Sequence, residues 1–588
     1  MTRVKALLSA TVVASLAAVV ILAGTLPNFW IYLVTTAGIN ALIALSVGVT
    51  FGYIGISSLC QLSFAAAGAW ITAKLVLDFG LPVLVAVLAG AVVAGVLGTL
   101  VGVLALRLRD VDLMVVTLAF AIAFQQIIGN VGFPGGAGTL FIGRPSFLAN
   151  DRVFMIATWG AFAVVAGAMV FVSHRRLGRS WLAIKHSERS SAAMGMRLLP
   201  TRLMAIAIGA AIAGFGGSML LVQQGVIDQA SFSPMASLTI FLAAVMSGAR
   251  YVEGAVMAGL FSTIFPVVLT SLGVSGGYNN VLFAVGAIQV LATGREGMAA
   301  DIRSGLRRLL RATKVVPAAA VLETGTVAVP PAAAVAASRR RDADATTRAA
   351  GGAETLSVSG VTVSFSGVPA LRDVDFSMDA GSVVGLIGPN GAGKSTFVDI
   401  VSGFTRSYSG DVRLGEDSMN GWGPQARARA GVRRTFQRER TIPELTIGEY
   451  VALASPHGHS VAIAEELAAT FRIPALSTRI ERVDIGTRRL IEVVAAAASS
   501  PRFLLLDEPA AGLGEAQVES LIRGVSAIPA ICGAGVLVIE HDMRIVSALC
   551  QSITVLNFGQ VIASGAPDDV LSRDLVVSAY LGGADIDE

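Results

Sequence analysis

The chain has 588 residues, of which 54% are hydrophobic and 14% charged, against about 25% charged in soluble domains; with a mean hydropathy of +0.71, this excludes a wholly soluble protein. The apolar excess lies almost wholly before residue 300, so a membrane half is expected ahead of a soluble half. A formal charge of +4 does not call for nucleic acid, because the arginines bracket apolar stretches instead of forming a patch.

Stretches long enough to cross, or nearly cross, about 30 Å of hydrocarbon run near 6–26, 30–52, 81–106, 111–130, 153–173, 201–222, 253–271 and 278–293, with weaker ones near 59–77 and 236–249. If all ten span and the N-terminus is inside, the inside loops carry Arg3, Lys5, Arg107, Arg109, the cluster Arg175, Arg176, Arg179, Lys185, Arg189, Arg197 and Arg202, then Arg250 and Arg295. Only Arg144 and Arg152 fall outside. That asymmetry predicts an all-α, multi-pass domain of about 8–10 helices over residues 1–311, with both ends on the cytoplasmic side and lipid around it. Dropping the two weak stretches keeps the C-terminal end inside and reverses the helices between them. A cleaved leader is the alternative reading of 6–26, since Arg3 and Lys5 precede its apolar run.

Small residues crowd the stretches GAVVAGVLGTLVG and GAAIAGFGGS, which predicts close helix packing. Gln61, Ser63, Lys74, Gln125, Gln126, Asn130, Gln223 and Gln224 lie within or beside spans. Each is open to two readings, a solute pathway or a hydrogen bond between helices. The polar stretch 177–197 is helix-compatible between its glycines and long enough to dock on the soluble half. Residues 312–350 are rich in Ala and Pro, lack aromatics and cannot build a core. A flexible tether of that length spans on the order of 35 Å, so coupling between the halves is expected through docked surfaces instead.

Residues 351–588 carry the chemistry. An apolar run from Ser382 feeds Gly388, Pro389, Asn390, Gly391, Ala392, Gly393, Lys394, Ser395 and Thr396, which fits G-x-x-x-x-G-K-[ST] with a strand before it and a helix after it. The glycines let backbone N–H groups approach phosphate oxygens, Lys394 neutralises charge and Ser395 can hold Mg²⁺. ATP with Mg²⁺ is therefore the expected cofactor. The strand-like FLLL ends in Asp507, suited to Mg²⁺ through water, and Glu508, suited to polarising the attacking water. A second strand, GVLVIE, delivers His541 as a sensor of the γ-phosphate, and Gln437 in RRTFQRER could reach the metal. Cys60, Cys532 and Cys550 show no metal or disulfide spacing.

Taken in order, Phe365, the phosphate loop, Gln437, Gly486, Asp507, Glu508 and His541 resemble the nucleotide-binding domain of an ABC transporter, an α/β P-loop fold. GVRRTFQRERTIPELTIGEYV, LLLDEPAAGL, VIEHDMRIV and AYLGG look like the ATP-binding subunit of branched-chain amino acid importers. TLAFAIAFQQIIGNVGFPGGAGTLF, GRSWLAIKHSERSSAAMGM and SLTIFLAAVMSGARYVEGAVMAG resemble its permease. The resemblance implies that Phe365 stacks on adenine, that 177–197 holds the coupling helix, and that the chain is a fused permease and ATPase. It also implies a separate solute-binding protein and a second permease and ATPase subunit. Three departures stand out: Asp484 occupies the serine position of the C-loop ahead of Gly486, Gly514 occupies a position expected to be Asp or Asn, and the stretch between Gln437 and Gly486 is short. They imply one competent and one weakened ATP site in the dimer. Related importers of urea or amides, a homodimeric exporter, and a membrane-tethered ATPase without transport are the rival readings.

Overall fold

A computed structural model describes residues 24–105, 108, 110–134, 141–227, 229–274, 278–294, 296–312, 354–437, 440–455 and 461–581. The stretch 6–26 lies almost wholly outside the described residues, as do Arg3, Lys5, Arg107, Arg109 and Arg295 and nearly all of 312–350. The chain divides into two compact units, one of Met1–Lys185 with Leu199–Val316 and the other of His186–Leu198 with Pro317–Glu588.

Among the described residues of the first unit, six helices are long and apolar enough to cross a membrane: Asn28–Tyr53, Val83–Leu104, Asp112–Val131, Asp151–His174, Leu198–Gln224 and Val252–Ser271. Gln61–Leu77, Pro234–Ser247 and Tyr278–Thr293 are shorter apolar helices. Nine of the ten expected stretches therefore form helices. The stretch 278–293, counted with the long ones in sequence, makes a helix of 16 residues, which rises only about 24 Å.

The glycine-rich stretches pack as their composition predicts. A methyl group at Gly98 would strike the Ala210 side chain, and one at Gly214 would strike Ala94, so Val83–Ala105 and Leu198–Gln224 lie against each other at glycine distance. Gly217 faces the backbone of Ala65 in the same way. Several buried polar groups prove to be interhelical ties. Gln61 donates to Thr50 Oγ1 (3.1 Å) and accepts from Ser46 Oγ (3.3 Å), and Gln223 donates to Tyr32 O (3.1 Å) and Thr36 Oγ1 (2.9 Å).

The second unit contains two sheets. The first runs β2-β1-β4-β5, all antiparallel, from β1 (Thr355–Phe365), β2 (Val368–Asp379), β4 (Ser409–Leu414) and β5 (Asp417–Ser418). The second runs β10-β9-β3-β8-β7-β6, from β3 (Val383–Ile387), β6 (Val432–Arg434), β7 (Phe503–Asp507), β8 (Gly535–Ile539), β9 (Ser552–Asn557) and β10 (Gln560–Gly565). Apart from the antiparallel β9–β10 pair, its strands are parallel. Strands buried on both faces need apolar residues throughout, which is why β3, β7 and β8 read as VVGLI, FLLLD and GVLVI with every residue buried.

Glycine packing in the first unit makes a paired prediction. Gly217→Ala should cost about 1–3 kcal/mol through overpacking, read as a lower unfolding midpoint of the detergent-solubilised chain. Gly167→Ala, where nothing lies within 4 Å of the added carbon, should leave that midpoint unchanged.

Candidate nucleotide site

Register brings the motifs together. Leu386 of β3 lies beside Ile539 of β8, Ile539 beside Asp507 of β7, and Leu505 of β7 beside Arg434 of β6. The carboxyl ends of four parallel strands therefore open on one edge, where α/β sheets bind ligands. They deliver the loop 388–396, His541, Asp507 with Glu508, and Gln437.

The loop is a cradle whose glycines are required. A side chain at Gly388 (φ 151°) would run into the Leu556 carbonyl, and one at Gly393 (φ 103°) would sit 2.7 Å from Ala370 O. Gly391 (φ 82°) has nothing within 4 Å of its missing Cβ and is exposed, so an oxyanion can approach the backbone there. Gly393 precedes the Lys394–Val401 helix and supplies no side-chain cap, which leaves the first helical N–H groups to a phosphate. Asn390 and Ser395 are exposed, Pro389 and Thr396 half-buried and Ala392 buried. Lys394 Nζ crosses the loop mouth, donating to Gly388 O (2.5 Å) and Pro389 O (2.9 Å). Burial lowers its pKa, and the carboxylates Glu508 and Asp507 oppose that shift, so both act on the ammonium.

Glu508 adopts φ 47°, a left-handed conformation that a non-glycine residue holds only under constraint. Its N–H donates to Ile539 O at 2.9 Å, tying the carboxylate-bearing turn to β8. Asp507 is buried and accepts from Arg434 Nη2 at 2.9 Å. His541 projects with its side chain 66% exposed. The preceding residue, Glu540, is buried, accepts from the Ala510 N–H at 2.8 Å and has its pKa raised by burial. Sequence reading passed over Glu540, although a carboxylate at the end of GVLVI is a visible signal.

Phe365 ends β1 with half its surface exposed, and its neighbour β2 passes the loop where Ala370 O faces Gly393. Gln437 is exposed. At Gly486 an added Cβ would meet the side-chain amide of Gln517, which would have to move aside. Asp484 has a local role that its carboxylate explains. It N-caps the Ile485–Ala497 helix, accepting from Thr487 N (3.0 Å), Thr487 Oγ1 (2.6 Å) and Gln517 Nε2 (2.8 Å). Those bonds, the Thr487 hydroxyl foremost, lower its pKa.

The stretch 177–197, expected to hold one docking helix, is two helices, Arg176–His186 and Glu188–Ala193. Ser187 breaks them: its φ of −162° is extended and its side chain accepts from Ser190 N to cap the second. The second helix packs within the second unit. Arg189 Nη2 reaches Asp399 Oδ1 (2.9 Å) and Oδ2 (3.0 Å), Arg440 Nη1 donates to Ser187 Oγ (2.7 Å), and Arg433 Nη1 donates to Ala193 O (3.3 Å). Burial brings the Arg433 pKa down to about 10. Sequence reading also missed Arg427, which is fully buried and donates to Ile400 O (2.6 Å) and Val401 O (3.0 Å). It thereby closes the far end of the helix that starts at the phosphate loop.

The residues present fit a magnesium nucleotide: a bare N–H cradle for phosphate, and oxygen donors from Ser395, Asp507 and Gln437. Among the described residues, no cluster of three or more His, Cys, Asp or Glu could hold a metal alone.

A P-loop domain of this architecture, attached to apolar helices, is an ATP-hydrolysing ABC domain on a membrane protein. The family described as "Branched-chain amino acid transport system / permease component" matches residues 29–291, and "ABC transporter" matches residues 371–511. The chain is 34% identical over 253 residues to the high-affinity branched-chain amino acid transport ATP-binding protein BraF of Pseudomonas aeruginosa, covering 39% of this chain and 98% of BraF. It is 32% identical over 250 residues to the corresponding LivG of Escherichia coli, covering 39% of this chain and 98% of LivG. Arabinose import ATP-binding protein AraG 2 of Burkholderia thailandensis is 33% identical over 240 residues, covering 39% of this chain and 45% of AraG 2. Among solved structures, the ADP conformation of an ATP-binding cassette of an ABC transporter matches with 26% identity and a TM-score of 0.36, covering 39% of this chain and 99% of that one. The chain belongs to the ABC transporters, as a permease domain of the branched-chain amino acid transport family fused to an ATPase domain.

The capping geometry gives a prediction separable from catalysis. Asp484→Ala should cost about 1 kcal/mol of domain stability, whereas Asp484→Ser keeps an N-cap acceptor and should cost little. Thermal unfolding of the two purified variants checks the difference.

Proposed function

We propose that this chain drives uptake of branched-chain or related amino acids across the cytoplasmic membrane, as one fused permease and ATPase subunit of an importer. The observation that carries the reading is the pairing, in one chain, of a permease-family match with an ATPase that covers 98% of BraF. The domain limits are 1–311 for the permease, 312–350 for the tether and 351–588 for the ATPase. The likeness to AraG 2 favours a second reading, in which the solute is a sugar.

In this reading, Phe365 stacks on adenine, the loop 388–396 and Lys394 hold the phosphates, and Ser395, Asp507 and Gln437 serve Mg²⁺. The metal, when bound, screens phosphate charge. Glu508 orients and polarises the attacking water, and its constrained backbone fixes where that carboxylate points. His541 faces the γ-phosphate. Gly486 closes on the nucleotide of a partner ATPase, its lack of a side chain allowing close backbone approach. A solute-binding protein and a second permease and ATPase complete the complex. Gln126 and Asn130, exposed one turn apart on Asp110–Val131, support a neighbour on that face. Asp484 cannot donate to the γ-phosphate and repels it, so the site using this C-loop is the weaker one.

Two outcomes test the chemistry. Glu508→Gln should retain ATP binding while hydrolysis falls on the order of 10²-fold or more, measured with the partner ATPase silenced. The purified chain alone should hydrolyse ATP weakly, and Asp484→Ser should raise its rate; vigorous unaided hydrolysis that Asp484→Ser leaves unchanged would contradict the weakened site. The solute is tested in proteoliposomes holding the complete complex, where labelled leucine should accumulate only with internal MgATP. Accumulation of labelled arabinose instead would replace the amino acid reading with the sugar one.

A further inference from the structure

Four charged side chains of alternating sign run from the Glu188–Ala193 helix to the end of β7. Arg189 holds both oxygens of Asp399 (2.9 and 3.0 Å). Asp399, one turn into the helix that follows the phosphate loop, also accepts from Arg434 Nη1. Arg434 Nη2 in turn donates to Asp507 Oδ2 at 2.9 Å. The chain of ion pairs runs from an exposed end to a dry one: side-chain exposure is 49% for Arg189, 27% for Asp399, 5% for Arg434 and 8% for Asp507. The Phe436 ring, immediately before Gln437, lies under three guanidiniums, with Arg434, Arg440 and Arg189 at 4.9, 4.8 and 5.8 Å from its centroid.

The arrangement contains a conflict. Asp507 is the carboxylate proposed above for Mg²⁺, yet in this structure it is engaged by a buried guanidinium. A second cation at Asp507 must weaken that pair, and among the described residues Arg434 also pairs with the carboxylate of Asp399. Asp399 is shared, so a tighter hold on Arg434 loosens its hold on Arg189. We propose that Arg434 is a positioning residue that Mg²⁺ competes with at Asp507, so that binding of the metal nucleotide shifts Arg434 toward Asp399 and releases Arg189 of the 186–198 stretch. This rests on the reading of Asp507 as a magnesium residue. The planar guanidinium matters because its separate nitrogens reach both carboxylates at once, which a lysine ammonium cannot match in geometry.

Linkage makes the idea measurable, because if Mg²⁺ weakens Arg189 at Asp399, removing Arg189 must favour Mg²⁺ by the same factor. The experiment uses the full chain in lipid nanodiscs with Glu508→Gln to prevent turnover, and follows binding of a fluorescent ATP analogue as Mg²⁺ is titrated. Arg189→Ala should lower the Mg²⁺ midpoint several-fold when Arg434 is present. The same substitution should have no effect on the midpoint beside Arg434→Lys, which keeps the charge but cannot bridge. Arg434→Met should lower the midpoint alone and abolish the response to Arg189→Ala. An Arg189→Ala shift of equal size with and without Arg434, or no shift at all, overturns the relay. An Asp507→Asn control separates the two claims. If it removes the Mg²⁺ response while the Arg189 and Arg434 variants act independently, the magnesium reading stands and the relay falls. If it leaves the Mg²⁺ response intact, both fall.

Discussion

A polyphosphate can be held by backbone only where the backbone is bare, and the second unit is organised to keep one loop bare and closely backed by its neighbours. The loop takes no side-chain cap at Gly393, so its position must come from its neighbours. Those neighbours are carbonyls: Leu556 O of β9 against Gly388 and Ala370 O of β2 against Gly393. Both sheets therefore touch the loop, and a side chain at either glycine would force them apart. The helix beyond is fixed at its far end by the buried Arg427. Asp507 and Glu508 then lie close enough to act electrostatically on Lys394, because β7 lies one strand beyond β8 from β3, in register.

Much of this was legible because it is local. Continuous apolar runs announced β3, β7 and β8, and the glycine spacing announced the loop between β3 and its helix. Asp507, Glu508 and His541 follow from those strands by sequence adjacency. What was not legible depends on residues far apart in the chain. Nothing around Asp399 signals that it sits between Arg189 and Arg434, because an acidic residue on a helix reads as solvated. The cap at Asp484 hides behind a catalytic motif: its serine position is also a helix N-terminus, where Asp serves well. Ser187 breaks the docking stretch in two because a serine that caps one helix cannot continue another.

The membrane half repeats the lesson in other terms. Small-residue stretches foretold close packing, since glycine is what lets helix backbones approach in lipid. They did not say which helices meet; the structure pairs Val83–Ala105 with Leu198–Gln224. Polar residues in spans carried two readings, and for two of them the structure shows the hydrogen-bonding one. Gln61 and Gln223 are satisfied by neighbouring helices, whereas Gln126 and Asn130 face outward.

In this mechanism the nucleotide loop and the 186–198 stretch respond to ATP as parts of one device. Hydrogen–deuterium exchange on the full-length Glu508→Gln chain in nanodiscs, with and without MgATP, tests it most directly. Exchange should slow across 388–396 and, at the same nucleotide concentrations, change across 186–198. Protection of 388–396 with exchange at 186–198 unchanged through nucleotide saturation would contradict it.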